Sequence, residues 1–282
     1  MKLRQHLFWA LLPLLLTGCF EHREAPPRLV EAIGLEAAVA LQPQVQRLVL
    51  NGESLGTLPP LLAELPQLEE LLLRGAKIDT FDGLAALQRL RVLDLSATGL
   101  QSLPAELPQL ATLEHLYLVD NALTNLPPTV AGCKQLTYLN LDRNRLQALP
   151  AELATLTSLR WLRLNGNRLT ALPEAIGELH NLQRLYLRDN RLEALPASLA
   201  ECCELEDLAL SGNLLKEFPL AVTRLPKLRN LDLRGNPLTG ELPLEAIAEM
   251  KALRLLTLTG CGIPLEREAA LRRVLPHCLI TL

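Results

Sequence analysis

The residues able to do chemistry are few, and their spacing does not gather them into reactive sets. Apart from Cys19, the chain has Cys133, Cys202, Cys203, Cys261 and Cys278, at spacings that match no zinc pattern. No two of His22, His115, His180 and His277 share a metal-ligand spacing. There is no GxSxG elbow, phosphate-binding loop or HExxH helix. Asp94 and His115 fall in neighbouring segments, but no serine or cysteine is placed to complete a nucleophilic triad. The expectation is a protein without catalytic residues, metal site or cofactor. Recognition chemistry is better represented. Beyond the first eighteen residues the only tyrosines and tryptophan are Tyr117, Tyr138, Trp161 and Tyr186, with Arg160, Arg163, Arg184 and Arg188 among them. Tyr, Trp and Arg are the types that dominate interface hot spots.

What positions these residues is a repeat. Units aligned on leucine begin at Val45, Leu68, Leu90, Leu113, Leu136, Leu159, Leu182, Leu205, Leu228 and Leu253, 23 residues apart except for one spacing of 22 and a last one of 25. One unit reads LTYLNLDRNRLQALPAELATLTS and the next LRWLRLNGNRLTALPEAIGELHN. The pattern resembles the 23-residue leucine-rich repeat, LxxLxLxxNxLxxLPxxLxxLxx, from Val45 to about Cys261. The resemblance implies an α/β repeat fold, a leucine-rich-repeat solenoid. Such a solenoid has a parallel sheet on its concave face and short helices or 3₁₀ turns on its convex face.

Each position then has a physical task. Leucines at positions 4 and 6, such as Leu139 and Leu141, alternate inward from a short strand, leaving positions 3 and 5 outward. Asn121, Asn144, Asn167, Asn190, Asn213 and Asn236 recur at position 9. An amide there can satisfy buried backbone groups of its own and adjacent turns. The Leu-Pro pairs that follow bend the chain where no ladder donor is needed. The outward positions place His115, Tyr117, Tyr138, Trp161, Arg163, Arg184 and Tyr186 on one concave strip in four consecutive units, with Arg160 and Arg188 bordering it. Arg145, Arg168 and Arg191 stack along its edge. The strip is expected to be locally basic, with Glu114, Asp142 and Asp189 as partial counter-charge, and to hold a protein partner in the concave groove. A glycan such as peptidoglycan is the alternative ligand, since aromatic faces and arginines also suit sugars.

The ladder is uneven. Position 9 holds Glu53, Ala76 and Thr98 in the first three units and Cys261 in the last, and Phe81-Asp82 replaces Leu-Pro in the second. The first third should therefore be less regular than the middle. A solenoid must cap its apolar ends: Arg28 to Leu41 is spaced as a capping helix. Pro264 to Val274 reads as a second helix, with proline in its first turn, and Cys278 to Leu282 as a closing strand. Cys133 and Cys202 occupy an inward leucine position as small core residues. They lie three repeats and roughly 14 Å apart, too far to bridge. A Cys261–Cys278 bridge is left open, because connectivity cannot be read from sequence.

The start of the chain is a different kind of signal. Lys2 and Arg4 precede the apolar run Leu7–Leu16, too short to span a bilayer, which needs about 20 helical residues. The run ends in Leu16-Thr17-Gly18-Cys19, which resembles the lipobox of bacterial lipoproteins. That resemblance implies cleavage before Cys19, lipidation of its thiol and acylation of its amine, giving a stable anchor. Phe20 stands where an aspartate commonly retains lipoproteins of Gram-negative cells at the inner membrane, so the pattern resembles outer-membrane cargo. Domains follow: signal peptide 1–18, tether and N-terminal cap 19–44, repeats 45–260, C-terminal cap 261–282. If the signal is not processed, a cytoplasmic scaffold is the remaining reading. The net charge is −3 for the whole chain, and without residues 1–18 it is −5, 26 basic against 31 acidic residues. That balance argues against a nucleic-acid ligand. At 49% apolar but only 3% aromatic residues, the core must be built of leucine and alanine, which suits many small layers.

Overall fold

The computed structural model describes residues 29–282. Residues 1–28, with the expected signal peptide, tether and lipidation site Cys19, lie outside the described residues. Fourteen short strands follow in chain order: β1 (Glu31–Ile33), β2 (Arg47–Val49), β3 (Ser54–Thr57), β4 (Glu70–Leu72), β5 (Lys77–Thr80), β6 (Val92–Asp94) and β7 (His115–Tyr117). They continue as β8 (Tyr138–Asn140), β9 (Trp161–Arg163), β10 (Arg184–Tyr186), β11 (Asp207–Ala209), β12 (Asn230–Asp232), β13 (Leu255–Thr257) and β14 (Leu279–Thr281). All but β3 and β5 form one 12-stranded sheet, in which each pairs in parallel with the next in the chain. Each sheet strand in the repeats is the residue triplet at positions 3 to 5, so successive triplets stand rung against rung. Between strands the chain returns through 3₁₀ turns such as Ala151–Thr155 and Glu174–Glu178. The ninth unit, two residues longer, has room for a full α-turn, α2 (Leu244–Ala248), where α1 is Leu35–Leu41 and α3 Leu265–Val274.

The core is a stack of leucines, with Leu139, Leu141, Leu162, Leu164, Leu185 and Leu187 fully buried. The asparagines bind the turns together. In Asn167 the side-chain Nδ2 donates to Leu141 O in the preceding repeat (3.0 Å) and to Leu164 O in its own (3.0 Å), while Oδ1 accepts from Leu146 N (3.0 Å). Asn121, Asn144, Asn190, Asn213 and Asn236 repeat this three-way link. Cys261 takes the same station at the end, its thiol donating to Leu233 O at 3.0 Å. Just before it, position 8 adopts a left-handed backbone in every unit. Glycine fills it at Gly166 (φ 65°), but Ala97, Asp120, Arg143 and Asp189 hold it at φ 54–58°, a conformation costing roughly 1–2 kcal/mol without glycine.

The first units are less regular, as expected, and the structure supplies the substitute. Lacking asparagine at position 9, they extend β3 and β5 after the turn and pair them as a separate parallel two-stranded sheet. Lys77 N donates to Glu53 O at 2.8 Å there. Phe81 takes the place of the missing leucine, 9% exposed.

The N-terminal cap corrects the single helix expected from Arg28 to Leu41. Its first element is a strand, β1, paired with β2, and only then α1. Without β1 the N–H and C=O groups along one side of β2 would be an open edge. Around it the burial alternates with a period of two: Ala32 is inward and Ile33 outward, which a helix cannot provide. At the other end α3 and β14 lie where expected, β14 pairing with β13. No described helix is long and apolar enough to cross a membrane.

Candidate binding face

Strands β7 to β10 carry the aromatic strip on the concave surface. Because positions 3 and 5 stand rung to rung, His115 lies opposite Tyr138, Tyr138 opposite Trp161, and Trp161 opposite Arg184. The rings touch accordingly. Tyr117 and Tyr138 have centroids 5.0 Å apart, His115 and Tyr138 5.9 Å, and Tyr138 and Trp161 5.6 Å, all within the range of favourable ring pairs. Arginine then continues the surface. The Arg184 guanidinium lies over Trp161, 4.4 Å from the ring centroid, and that of Arg163 over Tyr186 at 5.3 Å. Rings thus run from Tyr117 through Tyr138 to Trp161 and are continued by a planar cation, and Trp161, 36% exposed, is the most open ring.

Burial among these rings shifts their ionisation. It lowers the pKa of His115, with Arg91 adding to the effect. It raises the Tyr117 hydroxyl to about 12, helped by the charges of Tyr138 and Asp94, and raises that of Tyr138 as well. Asp94 faces Tyr117 and not His115, and its carboxylate accepts the Ser96 N–H at 2.8 Å. It therefore does not orient the imidazole as a general base would require.

The expected basic character is not what the structure contains. Arg163 is locked to Asp142 (2.7 Å), Arg184 to Asp207 (3.1 Å) and Arg188 to Asp232 (3.2 Å). Of the expected counter-charges only Asp142 serves the strip. Glu114 is bound by Arg91 (2.9 Å), and Asp189 has no cation within 4.0 Å among the described residues. Asp207 and Asp232 take over, from β11 and β12, the next two strands after β10 in the sheet. Arg160 and Arg188 are not brought together: Arg160 precedes β9 by one residue, and Arg188 follows β10 by two, at opposite edges. Arg160 is exposed and has no carboxylate within 4.0 Å among the described residues. Arg163 and Arg184 remain in the strip as neutralised, oriented guanidiniums.

Two of the cysteines belong to the leucine core. Cys133 and Cys202 are buried, with burial pushing their thiols up to about 11 and about 12. They donate to Leu107 O and Ile176 O at 3.5 and 3.3 Å. Cys261 and Cys278 are both free thiols. Among the described residues no three His, Cys, Asp or Glu side chains gather as a metal site.

One part of the face had no forecast. Beyond Tyr186 the concave surface sinks between β10 and β14. Its sequence signal is Ala209, a small residue at position 5 between the large Tyr186 and Asp232 of the adjacent units.

Comparison with known proteins places this geometry. The leucine rich repeat family profile matches residues 88–146, 111–169, 134–192, 157–215 and 180–238, successive overlapping stretches that together span more than half of the chain. A leucine-rich-repeat protein of Leptospira interrogans is similar in structure, with TM-score 0.61 and 29% identity over 85% of this chain and 73% of that one. The plant peptide hormone receptor RGFR1 in complex with RGF2 is similar over 81% of this chain and 38% of its own, at 26% identity and TM-score 0.64. The TLR13–ssRNA13 complex is similar over 88% and 37%, at 27% identity and TM-score 0.75. The chain spans less than half the length of these last two proteins. No curated protein sequence matches it.

Proposed function

Because the chain belongs to the leucine-rich-repeat family, we propose that it is a non-catalytic binding protein that holds a protein partner against the strip from His115 to Tyr186. The observation that carries this reading is the unbroken contact of rings and guanidiniums across four adjacent strands. Side chains at these positions point away from the leucine core, so the core does not account for them. Rings already packed on one another lose little freedom when a partner covers them, which favours affinity. A protein ligand is in keeping with the hormone complex of the plant receptor. An RNA ligand is disfavoured by charge. Each arginine on the concave strands themselves, Arg47, Arg163 and Arg184, sits against a carboxylate, so a phosphate backbone laid on those strands would meet charges already paired.

The envelope location is part of the same proposal. Its support is the run from Lys2 to Cys19, which would place a diacylated or triacylated cysteine ahead of a short tether and the solenoid. On this reading the anchor sits in the outer membrane if the cell is Gram-negative. Two experiments test the whole. A photo-reactive residue at position 161 should crosslink one protein partner in cells, while the same residue at convex Glu152 should not; crosslinking from 152 alone would overturn the concave assignment. Cys19→Ala should leave the chain unprocessed or released from membranes. Retention after carbonate washing would rule out the lipid anchor.

A further inference from the structure

The concave face continues beyond Tyr186 as an open recess of about 710 Å³ between β10 and β14, a size ordinary for small-ligand sites. Short side chains at the same outward position, Ala209, Thr257 and Thr281, line it. In the column Arg163, Tyr186, Ala209, Asp232, running across β9 to β12, Ala209 follows two long side chains and leaves the space beside Tyr186 open. The two faces of Tyr186 therefore differ. Arg163 covers one, and the side toward Ala209 forms part of the recess wall.

Both carboxylates around the recess are already paired. Asp207 pairs with Arg184 at 3.1 Å and accepts a hydrogen bond from the Asn230 amide. Asp232 holds Arg188 at 3.2 Å and Arg234 at 2.8 Å. These two guanidiniums keep the Asp232 carboxyl below the usual carboxylate range, although its burial alone would raise it. A cationic ligand would have to displace a guanidinium, and an anionic one would have to approach both carboxylates. A neutral ligand would not, since each paired carboxylate keeps lone pairs and each guanidinium keeps N–H groups. Pairing has also fixed the planes of these groups before any ligand arrives.

We propose that the recess binds a neutral sugar ring, a pyranoside lying with its C–H face on the open side of Tyr186 and its hydroxyls bonded to Asp207, Asn230 and Asp232. The ring face of tyrosine is its electron-rich side and attracts the weakly positive C–H bonds of a sugar. Hydroxyls both donate and accept, so one sugar can use the carboxylates of Asp207 and Asp232 together with the Asn230 amide between them. A carboxylate or ammonium ligand could use only one kind. This site adjoins the proposed protein surface and shares Tyr186 with it, but Trp161 does not line the recess.

The test titrates the full-length chain with cellotriose, chitotriose, maltotriose and mannotriose by calorimetry and saturation-transfer NMR, at about 50 and 500 mM salt. At least one sugar should bind saturably, with an affinity unchanged by salt. Ala209→Phe, which sets a ring against the open side of Tyr186, should weaken it about tenfold or more, and Asn230→Ala, on the exposed rim, should weaken it severalfold. Trp161→Ala should leave it unchanged. Circular dichroism establishes that the variants fold, and Asn230→Ala decides if Ala209→Phe does not. Saturable binding by none of the four sugars overturns the proposal. So does binding that survives both recess substitutions, or a partner peptide mapped into the recess in place of sugar. Partner crosslinking from position 161 reports separately on the protein surface.

Discussion

The first three repeat units and the middle ones solve the same problem by different means. In the middle, each turn after the strand is tied to its neighbour by an asparagine that serves three backbone groups in two repeats. In the first units that residue is absent, and the chain extends into β3 and β5 so that backbone pairs with backbone. The outward faces differ in parallel. The early concave positions are tied by ion pairs, as where Arg47 bridges Glu31 and Glu70 at 3.0 and 3.2 Å, whereas the middle positions are rings in mutual contact. The lesson is that one side chain per turn makes identical rungs. Identical rungs let large outward residues meet squarely, so the regular stretch is where a recognition surface can be built.

The sharpest way to break this comparison is at the ladder. Asn167→Leu strands Leu146 N and takes one of two amide donors from each of Leu141 O and Leu164 O, and should destabilise the fold by about 1–3 kcal/mol, against near neutrality for exposed Arg168→Ala. Equal melting temperatures for the two would remove the ladder as the source of regularity. Next comes recognition. Trp161→Ala should cost at least about 2 kcal/mol of partner affinity with little change in folding, while Arg47→Ala in the irregular region should leave affinity intact. Isothermal titration with the crosslinked partner reads both, and equal losses would erase the functional difference between the regions.

A smaller effect would sharpen the comparison by converting one region toward the other. Thr98 already donates to Leu95 O at 2.8 Å and lies 3.3 Å from the Asn121 amide oxygen. Thr98→Asn should therefore extend the ladder by one rung and stabilise the chain by about 1 kcal/mol, read as a rise in the urea midpoint. A lowered midpoint would show that the early units cannot accept the device.

The smallest effect is in pH. The pKa of His115 is lower in the fold than in the unfolded chain, so the unfolded state takes up its proton first as pH falls. Its contribution is fully present above its unfolded value of about 6.5 and is lost as pH drops through the lower folded value. His115→Gln should flatten that part of the melting-temperature profile. Asp232 is depressed as well, so its contribution is present above the ordinary aspartate range and lost at more acidic pH, and His115→Gln should leave that step in place. A wild-type profile level from pH 7 to pH 5 would contradict the His115 assignment.

Much of this was legible in the sequence because it is periodic. The 23-residue spacing placed Leu139 and Leu141 inward, Asn167 in the turn and Tyr138 and Trp161 outward, and the structure has them there. The irregularity of the early units was legible as missing asparagines, though its remedy, the β3–β5 sheet, was not. The capping strand β1 was hidden because three residues are too short to distinguish a strand from the start of a helix. The Arg188–Asp232 contact joins residues 44 positions apart, beyond anything a pattern within one unit can report.

By itself, then, the sequence determined which side of each rung a residue occupies, because strand alternation and turn geometry are set within a few residues. The tertiary structure decided which residues become neighbours across rungs. It gave Asp207 and Asp232 to the strip's arginines, laid Arg184 on Trp161, and left Ala209 as the floor of a recess. Those outcomes depend on parallel register and on which of several reachable partners each long side chain takes, and both are fixed only when the repeats are stacked.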